Sequence, residues 1–154
     1  MNVYENLKKL GYSLPKAPAK GGLYAPIKEF GNNLAYVSGC GPQCVNKDVL
    51  TGKIGGELTE IQGKEAAERC ILNVLSVIDD KIGDLNKIKS FVKLLVFVSS
   101  EDNFFNQPQV ADTASKLLKD IFGEEIGISS RSAIGVNVLP GNIPVEIEAL
   151  IELI

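Results

Sequence analysis

The chain has 154 residues, 45% of them hydrophobic and 23% charged, with a formal net charge of −3. That length and balance suit one globular domain with a real core. The acidic balance argues against a nucleic-acid partner, which needs a basic face to offset phosphates.

Histidine is absent. This removes the usual general base near neutral pH, the Ser-His and Cys-His nucleophile pairs and the commonest metal ligand. Acid–base work then falls to carboxylates, Tyr, Lys, Cys or bound water. The cysteines are Cys40, Cys44 and Cys70. An odd number without a secretory signature suggests reduced thiols, and no second Cys or His pair completes a zinc site with Cys40 and Cys44. No apolar run approaches the roughly 18 residues of a membrane span. The expectation is a soluble, cytoplasmic protein with no metal and no membrane association.

Residues 2–10 read as a short amphipathic helix ended by Gly11. The Pro- and Gly-rich stretch 13–22 reads as an arm, and Lys8, Lys9, Lys16 and Lys20 read as solvated surface. Residues 23–30 and 33–40 are strand candidates joined by a tight turn at Gly31-Asn32-Asn33. Residues 41–58 read as irregular. The GKIGG segment within them lacks the spacing of a phosphate loop.

Thr59 to Gln62 has the form of a capping box, so a helix begins there. Ala67, Cys70, Ile71, Val74 and Ile78 recur at helical spacing, with Gly83 as the stop. The run 89–98 is apolar with little alternation, which suits a strand buried on both faces. A second helix is expected from about Pro108 to Phe122. Strands over 131–139 and 145–153 close the chain, joined through Pro140-Gly141-Asn142. As a simple hairpin they set Asn137 opposite Glu146 and Arg131 about 20 Å from Glu146.

Two helices cover one face of such a sheet, yet the strand at 89–98 is apolar on both sides. A second copy of the chain is the economical cover. In the last strand Val145, Ile147, Ala149, Ile151 and Leu153 point one way, and Glu146, Glu148, Leu150 and Glu152 point the other. Three carboxylates do not sit unpaired in a dry core, so the second face is partly wet, as an intersubunit cleft is. Arg131, one of two arginines, belongs on that wet face by strand parity, opposite Ser132, Ile134, Val136 and Val138. Its planar fork suits a carboxylate. On residues alone it equally suits a structural ion pair to Glu148 or Glu152. Likewise Tyr24 suits packing as well as a site, Glu146 can be one of three solvated carboxylates, and Cys40 can be a small buried hydrophobe.

The pattern from Tyr24 onward carries a resemblance: Tyr24 with Gly31, the strand AYVSG ending at Gly39, TGKIGGELTE, IGDLNKIKSFVKLLVFVSS, and the signature SRSAIGVNVLP followed by VEIEA. The chain resembles the Rid family of reactive-intermediate deaminases, also called the YjgF or endoribonuclease L-PSP family. The resemblance implies an α+β, chorismate-mutase-like fold with a mixed sheet and two long helices on one face. It implies a homotrimeric barrel with clefts between subunits. Residues 1–22 stand as a helix-and-arm extension, and 23–154 as the single Rid-like domain.

The activity implied is hydrolysis of small 2-imino and enamine acids, such as 2-aminoacrylate, to 2-keto acids and ammonia. This is a hydrolase reaction on a C–N bond with no metal or organic cofactor. Carried over by position, Arg131 binds the substrate carboxylate and Glu146 activates the water. Tyr24, Gly39, Cys40 and Ala133 line the cleft. Ala133 stands where many active members have a cysteine. The ligand implied is a small 2-imino or 2-keto acid. Two further readings stay open: a non-catalytic trimer that binds small carboxylates in a regulatory role, and the family's older label of endoribonuclease or translation inhibitor.

Overall fold

Residues 2–44 and 47–154 are described by a computed structural model. The capping box forms as the sequence requires. Thr59 accepts from the Gln62 amide, and the Gln62 side chain reaches back to the Thr59 backbone, starting α2 at Glu60–Ile82. Gly83 ends it in the left-handed region, φ 82°. The other helices are α1 (Val3–Lys9), α3 (Gln107–Phe122) and α4 (Glu124–Gly127). The strands are β1 (Ile27–Phe30), β2 (Leu34–Cys40), β3 (Ile88–Ser99), β4 (Ser130–Val136) and β5 (Val145–Leu153). The short α4 turn is an element the sequence pattern did not announce. Of the irregular span 41–58, residues 45 and 46 lie outside the described residues.

Among the described residues the sheet has five strands in the order β1-β2-β5-β3-β4. All neighbours are antiparallel except β3 and β4, which run parallel. This corrects the hairpin expected for the last two strands. A parallel pair needs a crossover, and α3 supplies it between β3 and β4. The chain then passes through a 3-10 turn at Pro140–Asn142 and inserts β5 between β2 and β3. The burial patterns explain the choice. β5 alternates strictly between buried and half-buried residues, whereas β4 carries exposed Ser130, Ile134 and Gly135 and suits an edge.

The core lies between the sheet and the long helices. Ala35, Val37, Leu94, Val96, Val98, Val145, Ile147, Ala149 and Ile151 meet Cys70, Ile71, Val74, Leu118 and Ile121. The other face of β3 is partly open: Lys93, Leu95 and Phe97 are half-buried there. Among the described residues, no helix is long and apolar enough to cross a membrane.

α1 is docked on this core. Val3 and Leu7 are 5% and 3% exposed. Asn6 donates to the Ile121 carbonyl at 2.7 Å, and the Tyr4 hydroxyl accepts from the Leu85 amide at 2.9 Å. Burial, followed by the hydrogen bond to Asp79, pushes the Tyr4 phenol up to about 12. Leu7→Ala should therefore cost about 2–4 kcal/mol of stability, read from urea midpoints at unchanged slope. A loss of a few tenths would mean that α1 is not part of the cooperative unit.

Candidate functional site

β2 departs from regular pairing at its end. Val37 pairs with Ala149 but Cys40 pairs with Ile147, so three steps on β2 face two on β5. The extra residue is a β-bulge. It lets Val37 and Cys40, an odd number apart, both turn into the core, where they are 0% and 6% exposed. Ser38 and Gly39 form the bulge. Ser38 is tied to the incoming chain twice, by its amide to the Pro26 carbonyl (2.9 Å) and by its hydroxyl to the Ala25 carbonyl (2.7 Å). Those bonds fix the approach of Tyr24, whose hydroxyl accepts from the Gly21 amide at 3.1 Å.

A cleft of about 640 Å³ opens beside the bulge, lined by Tyr24, Ser38, Gly39, Cys40, Pro140 and Glu146 among others. Gly39 is required by contact. A Cβ there would sit 2.3 Å from Glu146 Oε1 and 2.6 Å from its Cδ. The Glu146 carboxylate thus occupies the space that any other residue at position 39 would fill.

The three carboxylates of β5 are not equivalent. Glu152 is paired with Lys89 at 2.7 Å. Glu148 accepts the Tyr36 hydroxyl at 2.7 Å, a bond that, ahead of burial, raises the Tyr36 phenol. The Glu146 side chain makes no hydrogen bond or ion pair among the described residues. Burial raises its carboxyl above the ordinary carboxylate range, and the neighbouring Glu148 charge adds to this. A half-buried carboxyl with a raised pKa, aimed into a cleft, is suited to take up and return a proton. The Cys40 thiol beside it behaves oppositely. Burial, then the Glu146 charge, pushes it up to about 12, so it stays protonated and is no nucleophile.

Arg131 is not on this face, which corrects the strand-parity reading. It pairs with Leu94, and Leu94 faces the helices. Its Nη1 donates to Asp112 Oδ1 and to Ser115 Oγ, each at 2.9 Å, and its Nη2 to the Pro108 carbonyl at 3.3 Å, all on α3. The guanidinium's side chain is 19% exposed, against 68% for Asp112. Strand spacing offered Glu148 or Glu152 as ion partners; the crossover helix supplies Asp112 instead. Ala133 shares the face of Arg131 and packs on the core.

Registers place Arg131 level with Leu94 and Glu146 level with Phe97, on strands flanking β3. Their Cα atoms are therefore about 14 Å apart and their side chains point to opposite faces. The fold brings Tyr24, Gly39, Cys40 and Glu146 together and holds Arg131 and Ala133 apart from them in the same chain. The sequence reading missed Ser38, Pro140 and the arm residues as cleft walls. A glycine inside a strand pattern is the signal that marks such a bulge. Among the described residues, no group of three or more Cys, Asp or Glu is placed to hold a metal ion.

The chain is 42% identical over 151 residues to protein TCP17 of Trypanosoma cruzi, covering 98% of this chain and 94% of that protein. It is 27% identical to a 2-iminobutanoate/2-iminopropanoate deaminase of Dermatophagoides farinae, over 90% of this chain and 92% of the other. A crystal structure described as a "putative endoribonuclease" from Shewanella oneidensis superposes with a TM-score of 0.93 at 28% identity, over 99% of this chain and 100% of the other. Residues 5–153 match the family described as "YjgF/chorismate mutase-like, putative endoribonuclease". A five-stranded mixed sheet with two long helices on one face, matched along nearly its whole length, makes the chain a member of the YjgF/Rid family.

Proposed function

We propose that the protein hydrolyses small 2-imino acids and their enamine tautomers, such as 2-aminoacrylate, to 2-keto acids and ammonia. The observation that carries this reading is Glu146: without a bonded partner among the described residues, half-buried, raised in pKa and seated against Gly39 in an open cleft. A distant relative bears the name of an iminobutanoate deaminase, which supports the same chemistry.

The substrate iminium carbon is already electrophilic. Glu146 takes a proton from water as its oxygen bonds to that carbon, giving a tetrahedral carbinolamine. The protonated Glu146 then returns the proton to nitrogen. As the C–N bond breaks and ammonia leaves, Glu146 takes the hydroxyl proton so that the carbonyl forms, and it passes that proton on to ammonia or solvent, giving the keto acid and ammonium. Atoms and charge balance with one water consumed. Holding water and carbon in contact supplies much of the rate.

The substrate carboxylate needs a cation. Arg131 of a neighbouring copy is the group we assign, in a homotrimer whose subunits close the open sheet face. Tyr36 and Ile134, 41% and 43% exposed on that face, support such a cover. Cys40 and Cys70 form no disulfide, which suits the cytoplasm.

The test couples an amino-acid oxidase or dehydratase to this protein and reads the rate of ammonia or keto-acid release. Acceleration that depends on Glu146 sustains the reading. No acceleration overturns it. The Arg131 assignment has its own expected result. Arg131→Ala should lower kcat/KM about 100-fold, while Asp112→Ala retains turnover. Asp112 is largely exposed and such a pair is worth only about 0–1 kcal/mol of stability, so Asp112→Ala should melt close to the wild type. Equal losses of stability with no change in turnover would make the pair structural.

A second reading is favoured by the Arg131–Asp112 pairing and by Ala133 on the core side. These suit a trimer that binds small carboxylates without turning them over. Calorimetric binding of 2-oxobutanoate, with no ammonia released from 2-iminobutanoate, would select it.

A further inference from the structure

The cleft at Glu146 continues into a second cavity of about 850 Å³. The two share Pro18, Ala19, Lys20, Pro26, Gln43 and Val77 as walls. The arm at residues 15–20 therefore roofs both, with α2 as the floor through Val77, Asp80 and Lys81. Cavities of roughly 300–1,000 Å³ hold ligands of drug size. A three- or four-carbon acid fills a fraction of this space.

The charges in the extension are uneven. Lys81 is neutralised by Asp80 at 2.7 Å. Lys16 and Lys20 make no hydrogen bond or ion pair among the described residues. Both project from a chain segment stiffened by Pro15 and Pro18 and anchored by the bond from the Gly21 amide to the Tyr24 hydroxyl at 3.1 Å. On a chain of net charge −3, these two lysines are exposed and without a partner carboxylate among the described residues, so they set positive charge at the rim of largely apolar walls, beyond the end of the cleft where Glu146 stands. Low-dielectric walls focus such a field.

We infer that the arm forms a second anion subsite, in which Lys16 and Lys20 hold a carboxylate or phosphate at the far end of the substrate's side chain. The inference rests on the imino-acid reading for the reacting end and adds the substrate class: 2-imino acids bearing a second anionic group.

Calorimetry at pH 7 and low salt with stable product keto acids tests it. The wild type should bind 2-oxoglutarate about tenfold more tightly than 2-oxobutanoate, a difference that added salt reduces. In the Lys16→Ala/Lys20→Ala double variant the ratio should fall to near one, and Lys16→Arg/Lys20→Arg should restore it. Adding 3-phosphohydroxypyruvate decides between the two anions, and tighter binding of either sustains the inference. A wild-type ratio of one or below, or a ratio that survives in the double variant, overturns it. Ammonia release from 2-iminobutanoate, measured on the same preparation, reports separately on the deaminase reading. Loss of the anion preference leaves that reading standing, and binding without turnover can still show the preference.

Discussion

Glu146→Gln should give a folded protein that releases ammonia about 100- to 10,000-fold more slowly, the span expected when a positioned general base is removed. The amide keeps the shape of the carboxyl and its seat against Gly39, so water and substrate still enter. What is lost is the proton acceptor, and in a chain without histidine no other cleft group replaces it. The Cys40 thiol, pushed up to about 12, is protonated throughout the working range. In the wild type, kcat/KM should climb with pH through a limb above the ordinary carboxylate range, because burial and then Glu148 raise the Glu146 pKa. That limb should be missing from the variant.

Stability gives an independent sign. With the native pKa raised above the unfolded value near 4.5, the native state holds more protons than the unfolded state between those two values. Stability therefore falls as pH rises through that window and stays lower above it. Glutamine cannot ionise and is exempt. At neutral pH the variant should melt at or above the wild-type temperature, while at pH 4 the two converge. Turnover within a few-fold of the wild type would remove Glu146 from the mechanism. A fall in melting temperature at neutral pH would show that its carboxylate is held by partners after all.

Local signals carried most of the elements into view. Thr59 and Gln62 specify a helix start by hydrogen bonds within one turn, and Gly83 specifies its end by a φ of 82° that other residues resist. The β5 alternation is equally local, since period-two apolarity reads out directly as one buried face. Strand partnership is different in kind. Whether β4 lies beside β5 or beside β3 depends on where a sixteen-residue helix carries the chain, and nothing within 130–153 encodes that. The error at Arg131 follows. Ser132 and Ile134 looked like the core set, but the parallel register sets Arg131 beside Leu94 on the helix face, where an edge strand admits a polar residue that bonds to the crossover helix at Asp112 and Ser115. The bulge at Ser38–Gly39 shifts parity at one point and was legible only as a glycine inside a strand. Lys16 and Lys20 are exposed, as their sequence setting suggests; that they also edge a cavity was not legible, because the cavity is built by residues of α2 some sixty positions away.

Gly39→Ala should reduce turnover about 100-fold while leaving the fold nearly as stable as the wild type. The added methyl would lie 2.3 Å from Glu146 Oε1, 2.6 Å from Cδ and 2.9 Å from Cγ, closer than van der Waals contact allows. Two responses are available. The backbone can move, which would disturb the bulge and the paired Ser38 bonds to Pro26 and Ala25. Alternatively Glu146 can rotate, since its carboxylate has no bonded partner among the described residues to hold it. Rotation is the easier response, because an unanchored side-chain end yields at a cost of order 1 kcal/mol, and position 39 carries no positive φ that alanine would strain. The carboxylate then leaves its place by about the diameter of the methyl. A displacement near 1 Å at a reacting group is enough for a loss of about 100-fold. Crystal structures of the two forms should show the β2–β5 register unchanged and the Glu146 rotamer altered. Adding Glu146→Asp to Gly39→Ala shortens the side chain by one methylene and makes room for the methyl. Partial recovery in that double variant, set against the single Glu146→Asp change, would isolate carboxylate placement as the cause. A Gly39→Ala protein with full turnover would mean that the spot where Glu146 now sits is not where the proton is taken.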